Sequence, residues 1–218
     1  MLYIVSTPIG NLNDITIRAL DVLKEVDLIL AEDTRVSKKL FNHFDIKNKF
    51  TSWHQHSKLT DFSKLKKYFA DNKDVALVTD AGTPGISDPG GKLIELVLEN
   101  FPQTKIVPIP GASALSAIIS VAGIALDKFL FLGFLPHKKG RQTLIQEIKD
   151  SKRPVIFFES VHRISKALDQ LSDCNKQLIV GRELTKKFET IYRGTAKQIL
   201  EKLNKDKVKG EFVVIVNK

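Results

Sequence analysis

The chain has 218 residues, 43% hydrophobic and 27% charged, which is enough apolar content to bury a core and rules out a disordered, collagen-like or disulfide-stapled protein. Its 34 Lys and Arg against 25 Asp and Glu leave a net charge of +9, an excess that favours a polyanionic partner such as nucleic acid. The single cysteine, Cys174, cannot form an internal disulfide and points to a reducing compartment; no motif surrounds it, so it reads as an ordinary helix-end thiol. No leader-like segment opens the sequence, and the longest apolar runs, 129–132 and 213–216, fall far short of the roughly 20 residues that cross a bilayer. The expectation is a cytoplasmic protein with no membrane partner.

In chain order, short apolar runs alternate with stretches of helical period, the pattern of βα units. Strands are expected at 2–5, 28–31, 50–53, 75–78 and 105–108, with helices at about 14–26, 35–44, 61–70 and 92–99 and another starting at Ser113. A second half begins with a strand at 129–133 and a helix near 141–149. The strand 155–158 follows, then a helix after His162 whose Ile164, Ala167, Leu168 and Leu171 form one apolar face. Strand 178–181, an extended piece 189–193, a helix carrying Ala196, Ile199, Leu200 and Leu203, and the strand 212–216 complete it. The fold class is α/β with two α/β domains, 1–123 and 124–218, the first mostly parallel.

Three loops after strands have unusual composition, and open α/β sheets bind ligands beyond the carboxyl ends of their strands. The first, Ser6-Thr7-Pro8-Ile9-Gly10-Asn11-Leu12, is a shaped turn without the G-x-G-x-x-G of a dinucleotide fold. The second, residues 79–91, packs four glycines, two prolines, two aspartates and three hydroxyl residues between a strand and a helix. Gly91 stands where a phosphate-binding loop needs lysine, which disfavours triphosphate hydrolysis. The third, Pro110-Gly111-Ala112-Ser113-Ala114, has small residues that admit a flat ring against the backbone, with Ser113 as a helix cap. Together they imply a small-molecule pocket. In the second half, Phe131–Pro136 followed by His137-Lys138-Lys139-Gly140-Arg141 joins aromatic and basic residues in the manner of single-strand RNA readers. Metal chemistry has no support: His43, His54 and His56 lack a cysteine pair, an H-E-x-x-H run or an acidic cluster. A serine hydrolase is disfavoured by the absence of G-x-S-x-G.

The run 6–12 with Asp14-Ile15-Thr16, the segment Ala31-Glu32-Asp33-Thr34-Arg35, and the loop 80–90 resemble the tetrapyrrole methylase superfamily. So do 110–114, 131–136, 159–163, Arg182-Glu183-Leu184-Thr185-Lys186 and Gly210-Glu211-Phe212-Val213, so the likeness runs along essentially the whole chain. Within that superfamily the sequence is most similar to the methyltransferases of small-subunit ribosomal RNA. The resemblance implies a homodimer using S-adenosylmethionine in a cleft between the domains to methylate the ribose 2′-hydroxyl of a cytidine in the decoding region of 16S rRNA. Family members usually carry an additional C-terminal helical segment, whereas this sequence departs from them in ending after the last strand with Asn217-Lys218. The resemblance places Thr7, Pro8, Ile9, Gly10, Asp80, Ala81, Gly82, Thr83, Pro84, Ile86, Ser113 and Ala114 around the cofactor.

A ribose hydroxyl is a poor nucleophile until its proton leaves, so a general base and a cation that steadies the oxyanion are expected. The candidate bases are Glu32, Asp33, Glu159 and Glu183, with Arg163 and Lys186 as cations; Arg35, Lys138, Lys139, Arg141 and Arg182 are the expected RNA contacts. Each acid also has a structural reading: Glu32 and Asp33 as caps of the following helix, and Glu159 as the ion-pair partner of Arg163. Two other functions fit the same residues: methylation of a tetrapyrrole or another small molecule, and a non-catalytic RNA- or ribosome-binding role.

Overall fold

The computed structural model describes residues 1–54, 57, 59–88, 90–205 and 209–218. Contacts divide the chain into two compact units, Met1–Ser113 and Ala114–Lys218. The division lies earlier than the joint read from sequence at 123/124, because the helix over Ala114–Ser120 packs with the second unit.

The first unit holds five strands, β1 (Leu2–Val5), β2 (Leu28–Ala31), β3 (Phe50–Ser52), β4 (Val75–Val78) and β5 (Ile106–Ile109), in the all-parallel order β3-β2-β4-β1-β5. Four helices connect them: α1 (Ile17–Glu25), α2 (Thr34–His43), α3 (Leu59–Ala70) and α4 (Gly90–Asn100). β2 and β4 are buried at every position, as expected of continuous apolar strands covered on both faces. Alternate strand residues feed two separate cores. Leu2, Ile4, Leu30 and Leu77 pack with Phe62, Leu65 and Leu93 from α3 and α4, whereas Val5, Ile29, Ala31 and Val78 pack with Leu23 and Phe41 from α1 and α2. α1 starts later than its apolar period suggests. Residues Leu12–Asp14 form a separate 3-10 turn, and Thr16 caps α1 by accepting from the Ala19 amide at 3.1 Å.

The second unit opens with α5 (Ala114–Ser120), followed by β6 (Leu130–Phe134), α6 (Arg141–Asp150), β7 (Val155–Ser160), α7 (Ile164–Gln170), β8 (Gln177–Arg182), β9 (Thr190–Thr195), α8 (Ala196–Leu203) and β10 (Glu211–Val216). The sheet order is β6-β7-β10-β8-β9, parallel between β6 and β7 and antiparallel elsewhere. Its main core sets Phe157, Val180, Phe212 and Val214 against Ile145, Leu168 and Ile199 of α6, α7 and α8. α5 lies on the opposite face, where the Ile118 side chain comes within 2.8 Å of a Cβ placed on Gly181. The extended piece expected near 189–193 is the edge strand β9, and a reciprocal Thr195–Gln198 capping box starts α8 directly after it. Among the described residues, no helix is long and apolar enough to cross a membrane.

Leu30, fully buried between β2 and its covering helices, is the residue whose truncation tests this layering. Leu30→Ala is expected to cost about 2–5 kcal/mol by leaving a cavity. Ile17→Ala, at a position 79% exposed, is expected to stay within about 0.5 kcal/mol of wild type. Urea unfolding of both variants measures the contrast.

Candidate active site

The register of the first sheet ends four strands in one row. Val5 is level with both Val78 and Ile109, and Ala31 with Val78, so Ser6, Glu32, Thr79 and Pro110 lead four loops off the same edge. Hydrogen bonds then join the loops across sequence. Thr7 and Gly82 exchange backbone bonds of 2.9 and 3.1 Å, an isolated antiparallel bridge at the end of a parallel sheet. The Thr7 hydroxyl donates to the Thr79 carbonyl at 3.1 Å. The Thr83 hydroxyl donates to the Ala112 carbonyl at 3.1 Å and lies 2.9 Å from the Ser6 hydroxyl. Gly82 adopts φ +87°, and the methyl of Ile9 stands 3.3 Å from where a Cβ would project, so any side chain there would strain the bridge. Asp88 accepts from the Gly85 and Gly90 amides at 2.8 and 2.7 Å and fixes the far end of the second loop.

Three carboxylates line the neighbouring loops. Glu32 accepts a 2.5 Å bond from the Thr79 hydroxyl and a 3.3 Å bond from the Asp80 amide. Asp80 in turn accepts from the Asp33 amide at 2.9 Å. Asp33 caps α2 by accepting from the Arg35 amide at 2.8 Å, and the Arg35 guanidinium grips its two oxygens at 3.0 and 2.6 Å. That grip holds the Asp33 carboxyl down at about 2. Partial desolvation of its carboxyl pushes Asp80 up, and the charges of Glu32 and Asp33 add to this against the Asp33 amide bond.

Residues 1–200 match the family described as tetrapyrrole (corrin/porphyrin) methylases. The chain belongs to the tetrapyrrole methylase family. A Halalkalibacterium halodurans protein named ribosomal RNA small subunit methyltransferase I is 43% identical over 218 residues, spanning 99% of this chain and 75% of that protein. A Haemophilus influenzae protein of the same name is 44% identical over 225 residues, spanning 99% of this chain and 78% of that protein. A solved cobalt precorrin-4 methyltransferase of cobalamin biosynthesis shares the fold, with a TM-score of 0.71 at 19% identity, covering 99% of this chain and 94% of that one.

In this tetrapyrrole methylase the expected cofactor residues Thr7, Gly82 and Thr83 fall within the joined loops, with Pro8, Ile9 and Pro84 buried behind them and Gly10, Asp80 and Ala81 exposed. Ile86 is half-buried, with its amide bonded to the Thr83 carbonyl. Ser113 closes the first unit and Ala114 opens α5 in the second. Three supporting residues were not singled out from sequence: Ser6, Thr79 and Asp88. Their signal was the density of hydroxyls and aspartates next to glycine, which marks loops that bond to themselves.

The second unit changes the reading of several candidates. Glu159 is not placed as a base. It is 1% exposed, with Arg141 at 3.1 Å and Arg163 at 2.8 Å and a further bond from the Ser160 amide. Arg141 is equally unsuited to meet RNA, being 4% exposed and tied also to Gln170 and the Pro136 carbonyl. Arg163 donates to the Leu135 carbonyl at 2.7 Å, so both guanidiniums anchor the start of the basic loop to β7. Glu183 and Lys186 form a second knot: the Lys186 ammonium donates to Glu183 at 2.9 Å and to Glu211 at 2.8 Å, and Glu183 also accepts from the Glu211 amide. Burial alone would raise the Glu183 carboxyl, but Lys186 and that amide bring it below its ordinary value. Burial would lower Lys186, and its two carboxylate partners raise it instead. Arg35, Lys138 and Lys139 are exposed, and half-buried Arg182 donates to the Lys209 carbonyl at 2.9 Å.

Removing Glu159 would leave two guanidiniums buried without a counter-charge, so Glu159→Ala is expected to cost about 3–5 kcal/mol in urea unfolding. The Glu183–Lys186 knot gives a pH signature with two limbs. A depressed carboxyl stabilises above its unfolded value and loses that contribution on acidification; a raised ammonium stabilises below its unfolded value and loses it at alkaline pH. The stability gap between wild type and Lys186→Met is therefore expected to be widest between about pH 4.3 and 10.4 and to shrink on either side. Urea midpoints across pH measure it.

Proposed function

We propose that this methyltransferase transfers a methyl group from S-adenosylmethionine to the ribose 2′-hydroxyl of a cytidine in the decoding region of 16S rRNA. The supporting observation is the row of joined strand-end loops with Glu32, Asp33 and Asp80 beside it, in a chain 43% identical to a protein named ribosomal RNA small subunit methyltransferase I. The loop residues suit a sulfonium nucleoside. Asp80 is an exposed carboxylate for ribose hydroxyls and positive charge, and nothing lies within 4 Å of the position a Cβ would take on Gly85, which leaves the backbone open to a flat ring. When bound, S-adenosylmethionine supplies an already activated methyl. Thr7, Gly82, Thr83 and Asp80 would hold it, so the remaining chemical task is removal of the acceptor's proton.

Glu32 is the assigned proton acceptor. The Thr79 hydroxyl and the Asp80 amide fix one of its oxygens, the arrangement in which a base is oriented by neighbouring donors. Asp33 is a weaker base because Arg35 holds it at about 2; it positions the start of α2 and donates its amide to Asp80. Arg35, with 89% of its side chain exposed, is available to an RNA phosphate. The surplus of +9 suits a polyanionic acceptor such as RNA. A homodimer in the cytoplasm completes the reading carried over from the family.

The test offers the full chain tritiated S-adenosylmethionine with naked 16S rRNA, assembled small subunits or a corrin or porphyrin precursor as acceptor, followed by mass-spectrometric mapping. Label in the 2′-O-methyl of one cytidine is expected; label in a corrin or porphyrin precursor and none in RNA would overturn the reading. Glu32→Gln is expected to lower kcat by about 10²–10⁴ while calorimetric cofactor affinity holds. Asp80→Asn should instead weaken cofactor binding.

A further inference from the structure

We infer that the second unit carries a two-ring stacking platform for unpaired RNA bases, built on Phe134 and Phe188; the inference rests on the RNA reading above and adds where the strand is held. The pairing registers bring the end of β6, the end of β7, the start of β10, the end of β8 and the start of β9 to one edge of the second sheet. Two large aromatic side chains project there unburied. Phe134, at the end of β6, is 52% exposed, and Phe188, between β8 and β9, is 69% exposed.

Neither is a stray surface residue. Phe134 leans edge-on against Phe158 at 5.5 Å, which meets Phe131 at 5.1 Å, so the outermost ring of a three-ring cluster is the one presented to solvent. The register slip between β6 and β7 falls between Phe131 and Phe134, the kind of irregularity that re-aims a side chain at a sheet edge. Phe188 has the Lys187 ammonium 5.7 Å from its ring centre, pairing an aromatic face with a cation.

The surroundings select the occupant. Exposed Lys138 and Lys139 follow Phe134 in sequence, and exposed Lys187 adjoins Phe188. The buried Arg141–Glu159–Arg163 knot holds the first of these loops to β7 through the Leu135 and Pro136 carbonyls. The two rings lie three to four strand positions apart, roughly 14–19 Å at about 4.8 Å per strand. Rings set apart along one edge with cations beside each suit a single strand whose splayed bases stack while its phosphates are neutralised. Phenylalanine offers no hydrogen bond, so the platform would grip the strand without reading its sequence.

The test measures binding of the full chain to a short mixed-sequence single-stranded RNA containing 2-aminopurine, and to its duplex, across a salt series. Phe134→Ala and Phe188→Ala are each expected to weaken single-strand binding by roughly 5- to 100-fold, to relieve 2-aminopurine quenching and to leave the salt slope unchanged. Phe→Tyr at either position should restore binding and Phe→Leu should not. Lys138→Ala with Lys139→Ala should instead flatten the salt slope by about 1.4 while quenching persists. Wild-type affinity in both Phe→Ala variants, equal losses on duplex RNA, or a change in sedimentation of the free protein (the rings then covering a second copy of the chain) would each overturn the platform. Methyl transfer to rRNA separates the two levels: intact transfer with unaffected Phe→Ala variants defeats the platform alone, whereas stacking without any rRNA methylation defeats the function reading.

Discussion

The bridge between Thr7 and Gly82 is the constraint that holds the first unit's strand-end loops together. A parallel sheet ends with loops that have no hydrogen-bonding obligation to each other, and each would wander over the surface if left alone. Here the ladder between β1 and β4 is extended by one antiparallel exchange after the parallel register has stopped. That exchange needs a backbone turned to positive φ at Gly82 and a small, shaped turn at Pro8 and Ile9 behind it. The hydroxyls of Thr7 and Thr83 then satisfy the Thr79 and Ala112 carbonyls, and the Ser6 hydroxyl meets that of Thr83. The result is preorganisation, since the ordering entropy of the loops is met in folding and not at the moment a ligand arrives.

The second unit solves a different problem with buried charge. Desolvating Glu159 costs several kcal/mol, and attraction to one arginine seldom offsets that. Two guanidiniums and a backbone amide share the carboxylate, and each guanidinium also binds a main-chain carbonyl of the loop before α6. A hydrophobic cluster of similar volume would give equal stability, yet it could not hold the Leu135 and Pro136 carbonyls in place. The knot at Glu183, Lys186 and Glu211 is of the same type. It fixes a turn in which Glu183 takes φ +51° and Thr185 takes φ +66°, backbone that costs energy without such support. Gly210, at φ +98°, accommodates this turn because a Cβ there would come within 2.3 Å of the Glu183 side chain.

Much of this architecture was legible in the sequence, for a physical reason. Strands buried on both faces, such as Leu28-Ile29-Leu30-Ala31 and Val75-Ala76-Leu77-Val78, leave a continuous apolar run that matches few other environments. The strand-end loops were legible because glycine, proline and hydroxyl residues have little reason to cluster except to shape backbone. The charged residues offered two readings each, because an acid followed by an arginine four residues later reads alike whether it faces water or core. The pairing of Glu159 with Arg163 and the cap at Asp33 were both legible as structural readings; only the third dimension shows Arg141 arriving from another helix to complete a buried triad. The same limit hid the function of Thr79, whose significance lies in meeting Glu32 across 47 residues of chain.

These two arrangements differ in what they hold: the first joins backbone loops, and the second ties loops down with buried charge. A cobalt precorrin-4 methyltransferase shares the fold at 19% identity, so the two α/β units tolerate wide changes of sequence. The exposed rings and lysines at the edge of the second sheet lie outside its main core. A nucleic acid is met by positive charge that attracts its phosphates at a distance. The chain's positive surplus and its aromatic edge are therefore features that sit on the fold and do not hold it together.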